Sequence, residues 1–521
     1  MHSKRFAKPL AAGFLAAALL GMGSAAADDD DDDGDIEVDP PVQVSGDSPF
    51  GPLEDCGNFP GTDPNQPDGL GANFTGSEVE PWLDVNPTDP DNLVAFWQQD
   101  RWSNGGARSN VAGVSFDGGE TWELVVVPGL TDCSDGPFER ASDPWVSFAP
   151  DGTLHQMSLV VNLPTFAGRN GMAVSRSLDG GLTWSDPIFV IDEETPGVLN
   201  DKNTLTADAT DSSFVYAVWD RLFLFPTGGF EGPVYLARTT DGGVTWEPAR
   251  EIFNPGFTNQ TIGNQIVVLP DGTVIDFFNE IQNVLPDGTP NPVVPPFNLA
   301  FIRSFDKGAT WDTSSTKVAQ ILSQQVNTPD TGALVRDGNL IFDVAVDPRR
   351  KGRIYAVWQD SRFTGFDQVA FVQSRNGGRT WSDPVRVNLT PLNAENPLRQ
   401  QAFLPSVAVN REGRVAVSYY DFRNDDDSGE LTDHFMVFCD RRCNRRSSWR
   451  DEVRLTEESF DYLNAPQAGG LFLGDYLGLA AARNDFYAFF QQSSPEDPAD
   501  GFSVRVSADD DDDDDDGDND D

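Results

Sequence analysis

The sequence predicts an all-β protein in which a four-stranded unit repeats around a closed ring. An eight-residue motif, S/T-x-D/N-x-G-x-T-W, occurs five times at spacings of about 62 to 70 residues, as expected for four-stranded propeller blades with long loops. An apolar strand pair precedes each copy. The 48 glycines and 37 prolines suit many strands joined by tight turns. Together these observations favour one large closed array over two or three separate domains.

The five motif copies share an Asp or Asn at the third position and a Trp at the eighth. The third positions are Asp117, Asp179, Asp241, Asp306 and Asn376. An Asp or Asn side chain can accept N–H bonds from the turn that it opens, and a following Gly supplies a positive φ. The Trp then offers a large apolar face to bury between sheets. We therefore expect five hairpin turns with a structural role.

These octets resemble the Asp-box, or BNR, repeat of sialidases and related β-propellers. The resemblance implies a single propeller of four-stranded blades, with the boxes on the face away from the active site. True sialidases have six blades, which is the alternative count. We favour seven, because seven inner strand pairs recur: Ser77–Trp97, Asp143–Val161, Lys202–Trp219, Asn264–Phe278, Phe342–Trp358, Leu404–Tyr419 and Gly474–Phe490. A strand around Val42-Gln43-Val44 is expected to complete the last sheet and close the ring.

The two ends of the chain differ in composition from the repeat region. Residues 1–27 have a basic start, an apolar run and Ala25-Ala26-Ala27, which together predict a secretory signal peptide cleaved near Ala27. Residues 28–40 and 508–521 are rich in Asp, and we expect both to be disordered. The propeller is then expected over 41–507. We expect export, to the extracellular space or the periplasm.

The formal net charge of −48 limits the classes of partner. A surface this acidic repels nucleic acid and anionic membranes, so neither is expected as a partner. The apolar run near the start is too short for a membrane span. We expect a monomer that binds a glycan or an extracellular protein. No cofactor is predicted, and the acidic tails could bind Ca²⁺ only weakly because they lack a Ca²⁺-loop spacing.

The four cysteines suit structural disulfides in an exported chain. Cys439 and Cys443 could close a tight hairpin that replaces a sixth box, with Trp449 in the role of the box Trp. Cys56 and Cys133 bracket the first repeat and could join its two ends. A zinc site is disfavoured, because the chain has only three histidines.

An Asp and an Arg follow the end of an inner strand pair in four repeats. The arginines are Arg101, Arg221, Arg362 and Arg423. At one mouth of a channel, a ring of guanidinium groups would bind carboxylate or sulfate groups of a ligand. The same repetition is also expected of salt bridges that belong to the scaffold. Both interpretations remain open at this point.

The resemblance implies a sialidase site with three arginines, a Tyr nucleophile paired with a Glu, and an Asp acid/base. The family's early Arg-Ile-Pro motif is absent here, where the strand reads Glu80-Pro81-Trp82-Leu83, and this argues against true sialidase activity. Tyr420 with Asp421, and Glu280, are the catalytic candidates, since a Tyr nucleophile needs a nearby carboxylate. Asp143, Asp201 and Asp475 begin inner strands and are further candidates at the channel mouth.

Two functional classes follow from this sequence. The first is an exported glycoside hydrolase or lyase of the sialidase-like superfamily. The second is a non-catalytic propeller that binds a glycan or a protein, since propellers serve both uses. A Ser-His-Asp hydrolase is disfavoured, because the chain has no Gly-x-Ser-x-Gly motif.

Overall fold

The computed structural model describes residues 36–53, 55–56, 71–163, 168–426 and 429–508. The expected signal peptide and most of both acidic segments lie outside these residues. Within them, the chain consists of β-strands, turns and four short 3₁₀ turns: Asp132–Ser134, Pro397–Gln400, Arg446–Ser448 and Tyr462–Asn464. None of the helices in the described part is long and apolar enough to cross a membrane.

The first strands of the chain are short, and two four-stranded groups follow them. The strands at the start are β1 (Ile36–Val38) and β2 (Val42–Gln43). Group 1 contains β3 (Asn73–Val85), β4 (Leu93–Trp102), β5 (Ala107–Ser115) and β6 (Glu123–Val126). Group 2 contains β7 (Arg140–Phe148), β8 (Leu154–Val161), β9 (Asn170–Ser177) and β10 (Ile188–Glu193). A single pairing of Ala107 with Ala141 joins the two groups into one sheet.

Groups 3 and 4 repeat the same antiparallel order. Group 3 contains β11 (Val198–Ala207), β12 (Val215–Leu224), the short β13 (Phe230–Glu231), β14 (Val234–Thr239) and β15 (Arg250–Phe253). Group 4 contains β16 (Gln260–Val268), β17 (Val274–Ile281), β18 (Phe297–Ser304) and β19 (Thr316–Gln320).

The last three groups are accompanied by a small parallel pair. Its first strand, β20 (Val335–Arg336), precedes group 5, which contains β21 (Phe342–Val346), β22 (Ile354–Asp360), β23 (Gln368–Ser374) and β24 (Val385–Arg386). Group 6 contains β25 (Ala402–Val409), β26 (Val415–Asp421), β27 (Leu431–Cys439), β28 (Glu452–Arg454) and the short β29 (Phe460–Asp461). Then come β30 (Leu471–Phe472), which pairs with β20, and group 7 with β31 (Gly478–Ala482), β32 (Asp485–Gln492) and β33 (Asp500–Ala508).

The groups form a closed ring. The first strand of each group contacts the first strand of the next, and β31 of group 7 returns to contact β3 of group 1. The N-terminal strands β1 and β2 pair antiparallel with β33, so they supply the outer edge of group 7. The all-β propeller predicted from the sequence is therefore confirmed. The described residues contain seven such groups.

The hydrophobic core is divided among the contacts between neighbouring groups. Val94, Phe96 and Val114 of group 1 pack against Val146 and Phe148 of group 2 in one such cluster. Six further clusters fill the other contacts in the same way, and the last joins groups 7 and 1. Since each group buries apolar surface on both faces, no group keeps its core without its neighbours.

The ordered region extends slightly beyond the bounds expected from the sequence. Residues 28–40 were expected to be disordered, but β1 (Ile36–Val38) pairs with β33, and the Asp39 amide donates to the Arg505 carbonyl. At the other end, Ala508 belongs to β33 and not to the acidic tail. The reason is physical: the alternating residues Ile36 and Val38 pack on the core of group 7, which outweighs the acidic composition around them.

The five sequence octets form turns between the third and fourth strands of groups 1 to 5. In each turn the Asp or Asn side chain accepts bonds from the amide four residues later and from the Ser or Thr hydroxyl two residues earlier. In the third copy, Asp241 accepts from the Thr245 amide at 2.9 Å, the Thr245 hydroxyl at 2.6 Å and the Thr239 hydroxyl at 2.8 Å. In the fifth copy, Asn376 Oδ1 accepts from the Ser374 hydroxyl and the Thr380 amide, but Asn376 Nδ2 donates to the Thr380 hydroxyl at 2.8 Å. These side chains therefore serve the turn itself.

In place of a sixth octet, group 6 has a disulfide hairpin. Cys439 and Cys443 are bonded, and the Trp449 indole N–H donates to the Cys443 carbonyl at 2.9 Å. In the first and fourth octets, Trp122 and Trp311 donate to Gly119 and Gly308 in the same manner. The second disulfide joins Cys56 to Cys133.

We expect an Asp241→Ala substitution to lower the free energy of unfolding by about 1 kcal/mol, the usual value of a side chain that satisfies several turn donors. Asp241→Asn is the matched control, because Asn376 fills this position in the fifth octet, and it should lose less. These hydrogen bonds hold the pKa of Asp241 at about 2. Because the folded pKa is depressed, the contribution is present above the ordinary pKa of an Asp and is lost as the pH falls through about 2. Urea unfolding at pH 7 and pH 3 measures both effects, and equal losses in both variants would contradict the prediction.

We expect the two disulfides to differ in their effect on stability. Cys56 and Cys133 are separated by 77 residues, and Cys439 and Cys443 by 4. If the main effect is on the entropy of the unfolded chain, the longer loop contributes roughly 4–5 kcal/mol and the shorter one roughly 2 kcal/mol. Paired Cys→Ala variants at each site, compared by chemical unfolding, should rank in that order. The reverse order would contradict the chain-entropy explanation.

Candidate functional site

The first strands of groups 1, 2 and 3 each contain a β-bulge. Each bulge changes the direction of one charged side chain. The residues are Glu80 on β3, Asp143 on β7 and Lys202 on β11, with φ of 55°, 46° and 46°. The strand register shifts next to each of them. Bulges re-aim side chains and are common beside active sites, and a positive φ in a residue other than Gly requires support from its surroundings.

The three bulge residues meet at the Lys202 ammonium group. Lys202 Nζ lies 3.1 Å from Glu80 Oε1, 3.1 Å from Asp143 Oδ1 and 2.5 Å from Asp475 Oδ2. Asp475 comes from the loop before β31, so groups 1, 2, 3 and 7 all contribute. One ammonium group thus neutralises part of the charge of three buried carboxylates.

Asp475 is also held by Arg336 of β20. Arg336 Nη2 donates to Asp475 Oδ2 at 2.6 Å, and Nε donates to Oδ1 at 3.2 Å, which is a bidentate pair. The guanidinium lies 4.2 Å from the ring centre of Phe472 on β30, the strand that pairs with β20. The small parallel sheet therefore positions the Arg336 guanidinium against Asp475.

Glu80 is fixed by a second set of contacts. Gln98 donates to Glu80 Oε2, and Arg101 Nη1 donates to Gln98 Oε1 at 2.6 Å. The Glu80 amide donates to the Leu473 carbonyl at 3.1 Å. This close approach requires Gly474, where a Cβ would lie 3.0 Å from the Glu80 backbone. The loop of group 7 can therefore touch β3 only with Gly at this position.

The environment shifts the pKa values of these carboxyl groups in opposite directions. Burial, and next the charge of Asp143, raise the pKa of Glu80 to about 7. Burial also raises the pKa of Asp201 to about 6 and that of Asp337 to about 8. For Asp475, burial is outweighed by the charges of Arg336 and Lys202, which hold its pKa well below the usual range. The site therefore holds Asp475 ionised and keeps Glu80 able to carry a proton near neutral pH.

Part of this charged cluster lines a cavity at the centre of the ring, whereas Glu80 lies behind its wall. The cavity is small, with a volume of about 30 Å³, and its wall includes Asp143, Lys202, Asp337 and Asp475. One side is aromatic: the rings of Trp82 and Trp145 stack with centroids 3.4 Å apart, and Tyr476 packs edge-on against Trp145 at 5.3 Å.

The paired tryptophans divide the channel. Trp82, Trp145 and Gln265 line the central cavity and also a second cavity further along the inner strands. That second cavity is lined by Asp84, Ser147 and the equivalent residues of the other first strands. These residues lie at the end of the first strands that is next to the octet turns, since Val85 pairs with Leu93 and Leu93 with Ser115. The charged cavity consequently faces away from the octet turns.

The structure does not bring together the catalytic residues expected from the sequence. Tyr420 is fully buried, and its hydroxyl donates to the Gln491 carbonyl at 2.6 Å and accepts from the Gln491 amide at 2.9 Å, so it has no carboxylate partner. Asp421 binds Arg423 and Thr390. Glu280 accepts from the Ser315 hydroxyl at 2.8 Å, within group 4. A Tyr nucleophile needs a carboxylate to take its proton, and this arrangement provides none.

The four repeated arginines also differ in their partners and do not come together at one site. Arg362 binds Asp360 at 2.7 Å, Arg423 binds Asp421 at 2.6 Å and also Glu452, and Arg221 binds Glu193. These three therefore fit the scaffold interpretation. Arg101 differs, because it is buried beside Phe472 and reaches the cluster through Gln98. The four do not form a ring of free guanidinium groups.

The carboxylates that begin inner strands are placed as the sequence suggested. Asp143 and Asp475 contact Lys202, and Asp201 precedes Lys202 on the same bulge. Sequence reasoning missed Glu80, Lys202 and Arg336. For Glu80 and Asp143 a signal existed, since each is followed by Pro-Trp in its strand, and the two tryptophans are the stacked pair.

No protein-family model matches this chain, and no curated protein does either. Similar solved structures include the alpha-L-arabinanase of Penicillium chrysogenum complexed with arabinobiose, with 11% identity, a TM-score of 0.45, and coverage of 91% of this chain and 98% of that chain. A mutant of NanB sialidase from Streptococcus pneumoniae has 10% identity and a TM-score of 0.41, covering 90% and 99%. A protein of unknown function from Dyadobacter fermentans has 13% identity and a TM-score of 0.43, covering 84% and 97%. Likeness at these scores carries no argument about chemistry.

We expect the effect of Glu80→Gln on stability to depend on pH. The folded pKa of about 7 lies above the ordinary value of 4.5, so wild-type stability falls as the pH rises from about 4.5 to 7, while the variant escapes this loss. The unfolding free energy of the variant relative to wild type should increase by up to about 3 kcal/mol between pH 5 and pH 8. Chemical unfolding across this range measures it, and a difference that does not change with pH would contradict it.

Proposed function

We propose that this protein is a carbohydrate-directed propeller and that a sugar binds at the mouth of the central cavity, with glycoside hydrolysis as the activity. The observation that carries the proposal is the convergence of Glu80, Asp143 and Asp475 on Lys202 beside the stacked Trp82 and Trp145. Concave sites with aromatic walls and a few convergent polar groups are typical of small-molecule binding.

The two halves of the cavity suit the two sides of a sugar. The apolar face of a pyranose or furanose ring can pack on an indole or phenol ring, and its hydroxyl groups can bind carboxylates and ammonium groups. Trp82, Trp145 and Tyr476 offer the first kind of surface. Asp143, Lys202 and Asp475 offer the second.

The opposite pKa shifts assign roles to two carboxyl groups. Glycoside hydrolysis uses one protonated carboxyl group, which donates to the leaving oxygen, and one carboxylate, which stabilises the positive charge at the anomeric carbon or attacks it. Glu80, with a pKa of about 7, is the general acid in this proposal. Asp475, held ionised by Arg336 and Lys202, is the carboxylate. Their bonds to the same ammonium group hold the two carboxyl groups close to each other.

A neutral glycan fits this cavity better than a sialic acid. Sialidase chemistry uses three arginines that clamp the substrate carboxylate, whereas Arg362 and Arg423 are bonded to a carboxylate of their own group and Arg221 to Glu193 of group 2. The carboxylates of the cavity also outnumber its cations. An anionic substrate would therefore meet net repulsion.

Export is part of the same proposal. The first 27 residues have the composition of a secretory signal peptide, and two disulfides persist best in an oxidising compartment. A glycosidase of this kind would meet its polymer outside the cytoplasm.

The decisive experiment is hydrolysis of a panel of aryl glycosides, including arabinofuranosides and a sialoside. We expect turnover of at least one neutral glycoside, reduced at least 100-fold in kcat by Glu80→Gln, because general acid catalysis contributes about 10²–10⁴-fold. Glu280→Gln is the matched control, since it removes a buried glutamate outside the cavity, and it should retain wild-type kcat. Equal losses in both variants, or activity on the sialoside alone, would contradict the proposal.

A second candidate is a non-catalytic propeller that binds a glycan or a protein. It is favoured by one observation: Lys202 and Arg336 already engage the carboxylates, which leaves fewer free groups for chemistry. This candidate predicts no turnover on any member of the panel, together with glycan binding that Trp145→Ala abolishes in calorimetry.

A further inference from the structure

A second acidic cluster lies at the seam where groups 7 and 1 close the ring. It consists of Glu78 on β3, Asp497 before β33 and Asp500 at the start of β33, and is called here the seam cluster. One carboxylate oxygen from each lies within 4.8 Å of the others. The Glu78 amide donates to the Ala499 carbonyl at 2.8 Å, so the backbones of the two groups are in direct contact here.

The seam cluster contains a buried oxygen with no hydrogen-bond partner of ordinary geometry. Glu78 is fully buried, and its Oε1 accepts from Gln99 Nε2 at 2.6 Å. Its Oε2 is also buried and has no hydrogen-bond partner of ordinary geometry among the described residues, and the Ser45 hydroxyl is only a weak partner that lowers the pKa of this carboxyl group. Leaving a buried carboxylate oxygen unsatisfied is costly, so this atom indicates a missing electropositive partner.

The surroundings of the seam cluster carry no compensating charge. Among the ion pairs of the described residues, none joins Glu78, Asp497 or Asp500 to a Lys or Arg. The nearest further carboxylates are Asp47 and Asp100, and Arg108 is paired with Asp100. Burial, with the neighbouring carboxylates Asp497 and Asp500, raises the pKa of Glu78, and burial raises the pKa of Asp497 to about 6.

The remaining contacts leave room and further oxygen atoms. Asp500 Oδ1 accepts from Gln43 Nε2 at 2.7 Å and lies 3.5 Å from the Ser45 hydroxyl, both from the N-terminal segment. Gly76 faces Asp497, and a Cβ there would lie 3.0 Å from Asp497 Oδ2. The absence of a side chain at Gly76 thus keeps space open beside this carboxylate.

We propose that Glu78, Asp497 and Asp500 bind a Ca²⁺ ion that joins the first and last groups of the ring. Ca²⁺ takes oxygen ligands at about 2.3–2.6 Å, so two oxygens on one ion lie no more than about 5 Å apart, which matches the seam cluster. The ion would supply the missing partner of Glu78 Oε2. Three carboxylates would replace their mutual repulsion with a shared cation, and the closure of the ring would become dependent on Ca²⁺.

The test is thermal unfolding of the full chain with EDTA or with millimolar CaCl₂. For wild type we expect the Tm to rise by several degrees with Ca²⁺. Glu78→Gln should raise the Tm in EDTA, because it removes a buried repelling charge, and should abolish the rise with Ca²⁺. If Glu78 were only structural, Glu78→Gln would lower the Tm both in EDTA and with Ca²⁺, instead of raising it in EDTA and removing the rise with Ca²⁺.

Two more variants keep the proposal falsifiable. Asp497→Asn, at a half-buried position, should weaken Ca²⁺ affinity at least tenfold in calorimetry even if Glu78→Gln fails to fold. Asp287→Asn removes the same charge from an exposed turn in group 4 and should behave as wild type. Weak Ca²⁺ binding by the poly-Asp runs affects every variant equally. The proposal is overturned if Ca²⁺ does not stabilise wild type, or if it stabilises all variants alike.

Discussion

Closure of the ring is the constraint on which the rest of this structure depends. Strands β1 and β2 pair with β33, and β31 contacts β3, so every group has a neighbour on both faces. Seven inner strands are thereby held around a narrow centre. Charged residues that reach this centre from different groups are forced together, and they must pair, because an isolated buried charge costs several kcal/mol. The contacts among Glu80, Asp143, Asp475 and Lys202 are the result.

Repetition and asymmetry mark different roles in this chain. The octet turns recur with nearly the same hydrogen bonds, and they hold the third and fourth strands of their groups. The inner-strand bulges recur in geometry but differ in residue: Glu80, Asp143 and Lys202 are followed by Gly263 and Leu404, all with positive φ. The positive-φ bulge is therefore shared by several groups, while charged side chains occupy it only on one side of the ring. Such asymmetry is what a binding site requires, since a ligand is rarely symmetric.

The fold could be predicted from the sequence because its signals are local. Each octet contains its own donors and acceptors, and the strand pairs are contiguous. The site could be predicted only in part. Asp143, Asp201 and Asp475 were identified from their position at strand starts. Lys202 and Arg336 were missed, because their partners lie in other groups and are brought near only by ring closure. Tyr420 and Glu280 lie near the ends of apolar strands and so resembled mouth residues, but Tyr420 is buried against Gln491 of group 7 and Glu280 bonds Ser315 of its own group.

The pairing of β1 and β2 with β33 has a consequence for biosynthesis. Among the strands of the ring, β1 and β2 are made before the others and their partner β33 is made last, so they remain unpaired while the intervening groups are synthesised. Until β33 arrives, group 1 exposes the apolar face that later packs on Tyr487 and Phe489. An incomplete chain of this protein therefore exposes apolar surface that is prone to aggregate, and chaperones would have to cover this surface until the last strand is in place.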